Sequence, residues 1–137
     1  MKNDQMICLT GGDRMTIKEV SAKYQITQDT LRYYERVGMI PPVKRTAGGI
    51  RDYGETDCGW IELALCMRNA GLPVEAMIEY VRLTQEGDGT IAARLELLQE
   101  QRERLLAQQE KIAQTLERLN YKIGRYKEAV QTGKLVW

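Results

Sequence analysis

The side chains with the most distinctive chemistry in this chain of 137 residues are three cysteines, Cys8, Cys58 and Cys66. A thiolate can act as a nucleophile, a redox switch or a ligand for a soft metal. The sequence contains no histidine, which excludes imidazole acid–base catalysis and a histidine-ligated zinc or iron site within one chain. The cysteines form no C-x-x-C pair, so neither a zinc ribbon nor a disulfide framework is indicated. We therefore expect neither an enzyme nor a resident cofactor or metal.

Cys66 allows two interpretations, which the residues alone leave evenly balanced. It can be a sensor thiol if positive charge or a helix end stabilises its thiolate and electrophiles can reach it. Alternatively, it is a buried structural cysteine that packs beside Leu63 and Ala70, its helical neighbours three residues before and four residues after. Cys58 lies near a predicted helix start and can act as a second sensor or resolving thiol, although an incidental role is simpler. We assign no role to Cys8.

The net charge of +1 hides an uneven distribution along the chain. Residues 16–53 carry seven Lys and Arg against four Asp and Glu, whereas residues 54–86 carry two against six. Residues 87–137 carry nine against seven. Phosphate neutralisation requires local positive charge rather than a high overall isoelectric point. The basic block, residues 16–53, therefore weakly indicates a surface that binds polyanions.

Two short helices are predicted within the basic block. Thr16 and Glu19 form a capping box for a helix that runs to about Tyr24. Thr27 then caps a second helix, whose apolar stripe includes Tyr34 as a core residue and which Gly38 ends. The connection of about three residues indicates a helix-turn-helix, in which the second helix can enter the DNA major groove.

A small β-hairpin, or wing, and two more helices are predicted next. Pro41-Pro42 stops the second helix, and a paired-glycine turn lies within 43–53. A third helix begins near Glu55, with a proposed buried stripe at Trp60, Leu63, Ala64, Met67 and Ala70. A fourth helix is expected from Val74 to about Leu83, with Met77, Ile78 and Val81 buried.

The last third of the chain has a heptad pattern. Twelve positions from 91 to 130 advance by alternating steps of four and three, and ten of them are apolar. This pattern predicts a coiled-coil helix about 60 Å long, which needs a partner helix to bury its stripe. The simplest partner is a second copy of the chain. The core of this predicted dimer seam is formed by Leu95, Leu98, Leu105, Ile112, Leu116, Leu119 and Ile123.

The expected fold class is therefore all-α with a small β-hairpin wing. A flexible N-terminal extension (1–14) precedes a winged helix-turn-helix head (15–86), and a dimerisation coiled coil with a tail (87–137) follows. No run of about 18 apolar residues and no secretory signal is present, so we expect a cytoplasmic protein without a membrane partner.

This combination resembles the MerR family of bacterial transcription regulators. The resemblance rests on four segments: MTIKEV at 15–20, TLRYYERVGMIP at 30–41, GIRDY at 49–53, and Trp60 followed by NAGL at 69–72. Within the family the chain is similar to the AdhR-like branch, which responds to aldehydes and other electrophiles, because Cys66 stands where that branch carries its sensor thiol. The resemblance therefore favours the sensor interpretation of Cys66.

The resemblance implies contacts with double-stranded promoter DNA from three parts of the head: Thr30, Arg32 and Tyr33 on the second helix; Arg51 and Tyr53 on the wing; and Arg68 at the end of the third helix. Three neighbouring cations, Arg36, Lys44 and Arg45, are further candidates for DNA contacts. Arginine offers a planar fork of donors for phosphates and guanine edges. Arg36 can instead be an ordinary solvated charge, and Lys44 and Arg45 can simply keep the wing soluble.

The family resemblance also implies how such a protein acts. A homodimer binds a near-palindromic operator inside a promoter with an over-long spacer and distorts the DNA, so RNA polymerase is an indirect partner. Modification of Cys66 would shift the third helix and the Arg68 contact. Two alternatives remain open, namely a regulator without thiol sensing and a coiled-coil interaction protein that does not bind DNA. Other members of the MerR family sense metals through cysteines near the end of the dimer helix. Metal sensing is disfavoured here because that region, residues 110–137, contains neither cysteine nor histidine.

Overall fold

The computed structural model describes residues 14–137, and these residues are mostly helical. Within this range five α-helices follow one another, with a 3₁₀ turn, Asp88–Thr90, before the last. The helices are α1 (Ile17–Tyr24), α2 (Gln28–Val37), α3 (Glu55–Asn69), α4 (Val74–Gln85) and α5 (Ile91–Thr132). The chain divides into two compact units, one ending at Leu98 and the other comprising Gln99–Trp137.

Side-chain caps define the first two helices, as predicted. The Thr16 hydroxyl accepts a hydrogen bond from the Glu19 amide at 3.2 Å, and the Glu19 carboxylate accepts one from the Thr16 amide at 2.8 Å. Thr27 caps α2 by accepting from the Thr30 amide at 3.0 Å. Gly38 ends α2 at a φ of 91°, in the left-handed region that glycine adopts without strain. The predicted capping box and both helix ends are confirmed.

The wing between α2 and α3 is a turn held by isolated bridges. Arg45 pairs with Arg51 in an antiparallel bridge, and the Thr46 amide donates to the Ile50 carbonyl at 2.8 Å. The hairpin turn is therefore present, but its arms are too short to form regular strands within residues 14–137. The exposed Gly49 adopts a φ of 85°, which makes the tight turn possible.

A second bridge joins the base of the wing to the chain before α1. The amides of Met15 and Tyr53 each donate to the other residue's carbonyl at 2.9 Å. Arg14, assigned above to the flexible extension, donates to the Asp52 carbonyl at 2.7 Å and pairs with its carboxylate at 3.3 Å. Arg14 is thus held against the wing. The rest of the predicted extension, including Cys8, lies outside the described residues.

The buried stripe of α3 differs from the predicted one. Ala64 and Met67 are buried as expected, but Cys58 and Ile61 complete the stripe, whereas Trp60 lies only partly buried on its flank. The Asp57 carboxylate caps the start of the helix by accepting from the Gly54 amide at 2.8 Å, and the packing of α3 against the rest of the head decides which face is buried. The predicted stripe is therefore right at Ala64 and Met67, whereas Trp60, Leu63 and Ala70 are only partly buried and pack against the edge of the core.

The core of the head is built from all four short helices and the wing. Tyr34 is 7% exposed, which confirms it as a core residue rather than a surface contact. Met77 and Val81 of α4 are buried as predicted, while Ile78 is partly buried. The core also contains Val20, Leu31, Met39, Ile40, Val43, Leu72 and Ala76.

A polar cluster connects the end of α4 to the start of α5. The Thr90 hydroxyl lies 2.6 Å from the Leu83 carbonyl oxygen and 2.8 Å from that of Gly87. Arg94 donates to the same hydroxyl at 3.0 Å and to the Gly87 carbonyl at 2.9 Å. The Leu83 and Gly87 carbonyls also accept from the Glu86 and Thr90 amides, both at 3.1 Å, so the Thr90 and Arg94 side chains add to a turn that the backbone already closes.

Helix α5 begins at Ile91, the first position of the predicted heptad series, and contains 42 residues. Its apolar stripe is exposed in the single chain. The exposed residues include the complete predicted seam core, Leu95, Leu98, Leu105, Ile112, Leu116, Leu119 and Ile123. Among the described helices, none is both long and apolar enough to cross a membrane.

Candidate nucleic-acid interface

Helix α2 has one buried face and one exposed polar face. Leu31 and Tyr34 point into the core, whereas Tyr33 is 40% exposed. The guanidinium of Arg36 lies 5.4 Å from the centre of the Tyr33 ring, in a cation–π arrangement. Arg32 donates to the Asp29 carboxylate at 2.8 Å. The exposed face therefore presents a ring and two cations.

The pairings on this face leave its cations available to DNA. The Asp29 side chain is 94% exposed, and exposed ion pairs of this kind contribute only about 0–1 kcal/mol. Phosphates can therefore replace Asp29 as the partner of Arg32 at little cost. Thr30 is partly buried, and its hydroxyl lies 2.8 Å from the hydroxyl of Thr27, within the helix cap. Any contact from Thr30 would have to share that hydroxyl with the cap.

Lys44 and Arg45 lie exposed on the first arm of the wing. Arg45 donates from Nη1 to the Gly49 carbonyl at 3.1 Å, which ties this side chain across the turn. Ile50 at the tip is 61% exposed. The wing therefore carries two exposed cations beside an apolar tip.

Arg51 is attached to α2 through Glu35. Its Nε donates to Glu35 Oε1 at 2.7 Å, and the two side chains are only 20% and 13% exposed. Glu35 Oε2 accepts from the Val43 amide at 2.9 Å. Burial acts to raise the pKa of Glu35, but the hydrogen bonds from Arg51 and Val43 and the charges of Arg51 and Arg45 outweigh it and lower the pKa. Glu35 is therefore held as a carboxylate.

Tyr53 is not a surface residue, which corrects the expectation that it contacts the phosphate backbone. Its side chain is completely buried, and its hydroxyl has no hydrogen-bond partner in the part of the chain that is described. Burial raises its pKa, with smaller effects from the surrounding charges, including Arg51 and Glu35. Residues 51 and 53 share the inward face of the wing, as alternation along an extended arm requires. Arg51 reaches Glu35 from that face, and Tyr53 fills the core.

Arg68 lies exposed in the last turn of α3. It donates from Nη1 to the Leu72 carbonyl at 3.2 Å, within the loop that follows the helix. Burial raises the pKa of Tyr34, and the charge of Arg68 offsets part of this rise, so Arg68 lies near the buried face of α2. A DNA contact from Arg68 stays a prediction, as do those from Thr30, Arg32, Tyr33, Arg36, Lys44, Arg45 and Arg51.

The two described cysteines occupy different environments, and both are thiols. Cys66 is exposed, whereas Cys58 is completely buried in α3. Because Cys66 is exposed, the main support for reading it as a buried structural residue is removed. Because Cys58 is buried, electrophiles cannot readily reach it, which argues against a sensor role. Arg68 is two residues after Cys66, so the two side chains diverge on the helix.

An open apolar groove lies along the face of α3 that precedes Cys66. Its volume is about 280 Å³, and it is lined by Thr56, Gly59, Trp60, Leu63 and Tyr80. The rings of Trp60 and Tyr80 are 5.6 Å apart. Leu63, which lines the groove, is one helical turn before Cys66, whereas Cys66 itself is not among the lining residues.

Two functional features were missed by sequence reasoning. Glu35, an acidic residue between Arg32 and Arg36, connects both wing arms to α2. Arg14 holds the base of the wing through Asp52. A carboxylate between the two arginines of α2 was the available signal for Glu35, whereas no local pattern indicated Arg14.

Comparison with known proteins identifies the family. The model of the MerR HTH family of regulatory proteins matches residues 15–84. The regulator AdhR of Bacillus subtilis is 56% identical over 92 residues, which cover 67% of this chain and 66% of AdhR. Two crystal structures are also similar. One, of a MerR family transcriptional regulator from Listeria monocytogenes, has a TM-score of 0.84 and 42% identity and covers 87% of this chain and 90% of that one.

The second structure includes nucleic acid. It is HiNmlR, a MerR family regulator lacking the sensor domain, bound to promoter DNA, with a TM-score of 0.80 and 30% identity. The match covers 89% of this chain and 97% of HiNmlR. The long C-terminal helix and the head described above are therefore shared with proteins of this class, and the chain belongs to the MerR family of helix-turn-helix transcriptional regulators.

Proposed function

We propose that this protein is a homodimeric regulator that binds a near-palindromic promoter operator with α2 and the wing of each subunit. The observation that carries the proposal is the exposed face of α2, with Arg32, Tyr33 and Arg36, beside a wing that Glu35 holds against the same helix. HiNmlR, a relative of similar fold, is bound to promoter DNA in its crystal structure.

The exposed seam of α5 supports pairing with a second copy. A stripe of leucine and isoleucine side chains is costly to leave in water, and an identical helix offers a complementary stripe. In the dimer, the paired helices would set the distance between the two heads. Each α2 would then enter a major groove, and the separation of the half-sites would be a property of the protein. We propose an antiparallel arrangement of the two helices, as the family implies.

Regulation would act through the shape of the DNA. Bending a site of 20–30 base pairs costs about 1–6 kcal/mol, which contacts with several phosphates can offset. A distorted operator within a promoter spacer would bring the polymerase recognition elements into better alignment, so RNA polymerase is an indirect partner. Bacterial promoters lie in the cytoplasm, and this function places the protein there.

We further propose that Cys66 senses aldehydes or related electrophiles. Its thiol is exposed, and the groove lined by Trp60 and Tyr80 begins one turn away. In the reaction with an aldehyde, the thiolate sulfur forms a bond to the carbonyl carbon. The carbonyl π electrons move to oxygen, which takes up a proton and completes a hemithioacetal. This adduct would alter the packing of α3 and the position of Arg68.

The DNA-binding proposal is tested by selecting bound fragments from the source genome and measuring their affinity as a function of salt. Arg32→Ala should weaken binding to the selected operator and reduce the salt slope by about one. Asp88→Asn, in the exposed turn before α5, is the control and should leave the slope unchanged. Binding that does not depend on sequence or salt would refute the proposal and favour an interaction coiled coil.

The sensing proposal is tested separately by transcription in vitro with and without an aldehyde. Cys66→Ser should abolish the response while leaving operator affinity within about twofold of wild type. Cys58→Ser, at the buried cysteine, should retain the response. A full response in the Cys66→Ser protein would favour the alternative of a MerR regulator without thiol sensing at this position.

A further inference from the structure

Glu35 is the only acidic side chain on α2 that is bonded to the wing. It is four residues from Leu31 and one residue from Tyr34, so its backbone lies beside the core-facing stripe of the helix. One carboxylate oxygen accepts from Arg51 Nε at 2.7 Å, on the second arm of the wing. The other accepts from the Val43 amide at 2.9 Å, on the first arm. A single side chain therefore holds both arms.

The arrangement differs from an ordinary surface ion pair in its burial. Glu35 is 13% exposed and Arg51 is 20% exposed, so solvent and salt screen this pair less than the exposed Arg32–Asp29 pair. The Val43 side chain is also buried, at 5% exposure, which fixes the first arm close to the core. Both arms of the wing are thus anchored beside α2 in the protein without DNA.

The bond pattern of Arg51 leaves part of its guanidinium group unused. Only Nε is bonded to Glu35, and Nη1 and Nη2 have no hydrogen-bond acceptor among residues 14–137. These two groups provide the donors that suit a phosphate. A guanidinium already oriented through Nε loses less rotamer freedom when it binds a phosphate than one on an unrestrained side chain.

A carboxylate in a DNA-binding surface is otherwise unfavourable, because it repels phosphates. Removing it should strengthen DNA binding if Glu35 were only a charge on α2. If Glu35 instead orients the wing, removing it should weaken binding although the surface becomes more positive. The two explanations therefore predict effects of opposite sign.

We propose that Glu35 is a positioning residue for DNA recognition, which holds the wing and Arg51 against α2 before the operator binds. The inference rests on the proposed DNA-binding function and adds a role for a residue that need not touch DNA. Its carboxylate acts through Arg51 and Val43, so the wing and α2 would bind adjacent phosphates as one rigid surface.

The test compares operator affinities of the full chain and its variants at one salt concentration. Glu35→Ala should weaken binding about three- to tenfold, the amount expected for one or two side chains that must be ordered on binding. Glu35→Gln keeps an acceptor for Val43 and should weaken binding less. Asp29→Asn is the matched control, because it also removes an acidic group from α2, and it should leave binding unchanged or strengthen it.

Two further readouts separate positioning from a loss of folding. In the free protein, hydrogen exchange of the Val43 amide should accelerate in Glu35→Ala at least tenfold, while the amides of the α3 core keep their protection. In Glu35→Ala, ethylation of the operator phosphates that the wing contacts should no longer reduce binding. Ethylation of the phosphates that α2 contacts should still reduce it. Should Glu35→Ala fail to fold, Glu35→Gln, which keeps the shape of the side chain but removes the charge paired with Arg51, should still bind the operator less tightly than wild type.

Several results would overturn the inference. If wild type binds the operator and Glu35→Ala binds equally well or better, Glu35 has no positioning role. An unchanged exchange rate of the Val43 amide would contradict it independently of DNA. If wild type itself binds no operator, the proposed function fails instead, and the exchange measurement still decides whether Glu35 anchors the wing.

Discussion

The seam of α5 allows the most quantitative prediction, which concerns Leu116→Ala. The Leu116 side chain is 52% exposed in the single chain. Complete burial of a leucine side chain is worth about 1.5–3 kcal/mol, so burial of its exposed half in a dimer is worth about 1 kcal/mol. Two copies are buried in a symmetric pair. The substitution should therefore cost about 2 kcal/mol of dimerisation free energy, or about 30-fold in the dissociation constant.

Sedimentation equilibrium over a range of protein concentrations measures this constant directly. Leu106→Ala is the matched control, because Leu106 is 48% exposed on the same helix but lies outside the alternating four-and-three series. It should change the dissociation constant by less than about threefold. Equal effects of the two substitutions, or no effect of Leu116→Ala, would refute the assigned seam.

Three further predictions concern the head and its junction with α5. Tyr53→Phe should leave operator affinity unchanged. It should raise the free energy of unfolding by up to about 1 kcal/mol, because it removes a buried hydroxyl that has no hydrogen-bond partner among the described residues. Weaker DNA binding by this variant would support a contact between Tyr53 and the phosphate backbone instead. Glu35 has a lowered pKa in the folded state, so its stabilisation should be complete above the ordinary glutamate pKa of about 4.3 and lost as the pH falls through the folded value. Chemical unfolding of wild type and Glu35→Gln should accordingly differ most near neutral pH and converge in acid, and a difference that grows in acid would contradict the assigned ion pair. Thr90→Val should lower the free energy of unfolding by about 1–2 kcal/mol, since it removes the hydroxyl that joins Leu83, Gly87 and Arg94; an unchanged melting curve would show that the cluster adds no stability.

Local features of this chain were predicted well because their causes are local. The caps at Thr16 and Thr27 and the glycine at position 38 act within one turn of the helices that they delimit. The start of α5 at Ile91 follows from a heptad pattern that spans many turns. Each signal is contained in a short stretch of sequence, so no tertiary information was needed.

Features that depend on packing could not be predicted in the same way. The stripe of α3 is set by how the helix meets α2, α4 and the wing, and similar apolar residues on adjacent positions 60 and 61 made two registers plausible. A tyrosine at position 53 is equally suited to a phosphate contact and to a core position. Which of the two it adopts depends on which face of the wing is turned toward the core, and this follows only from the packed structure. Glu35 and Arg51 are 16 residues apart, and their pairing depends on the return of the wing to α2.

The central claim is that two heads at a distance set by the α5 dimer read the two halves of one operator. The most direct test measures affinity for the selected operator and for a version with five base pairs inserted at its centre, about half a helical turn. The insertion moves one half-site to the opposite face of the DNA. We predict that high-affinity binding falls at least 100-fold, to the level of a single half-site. Unchanged affinity for the lengthened operator would contradict the claim.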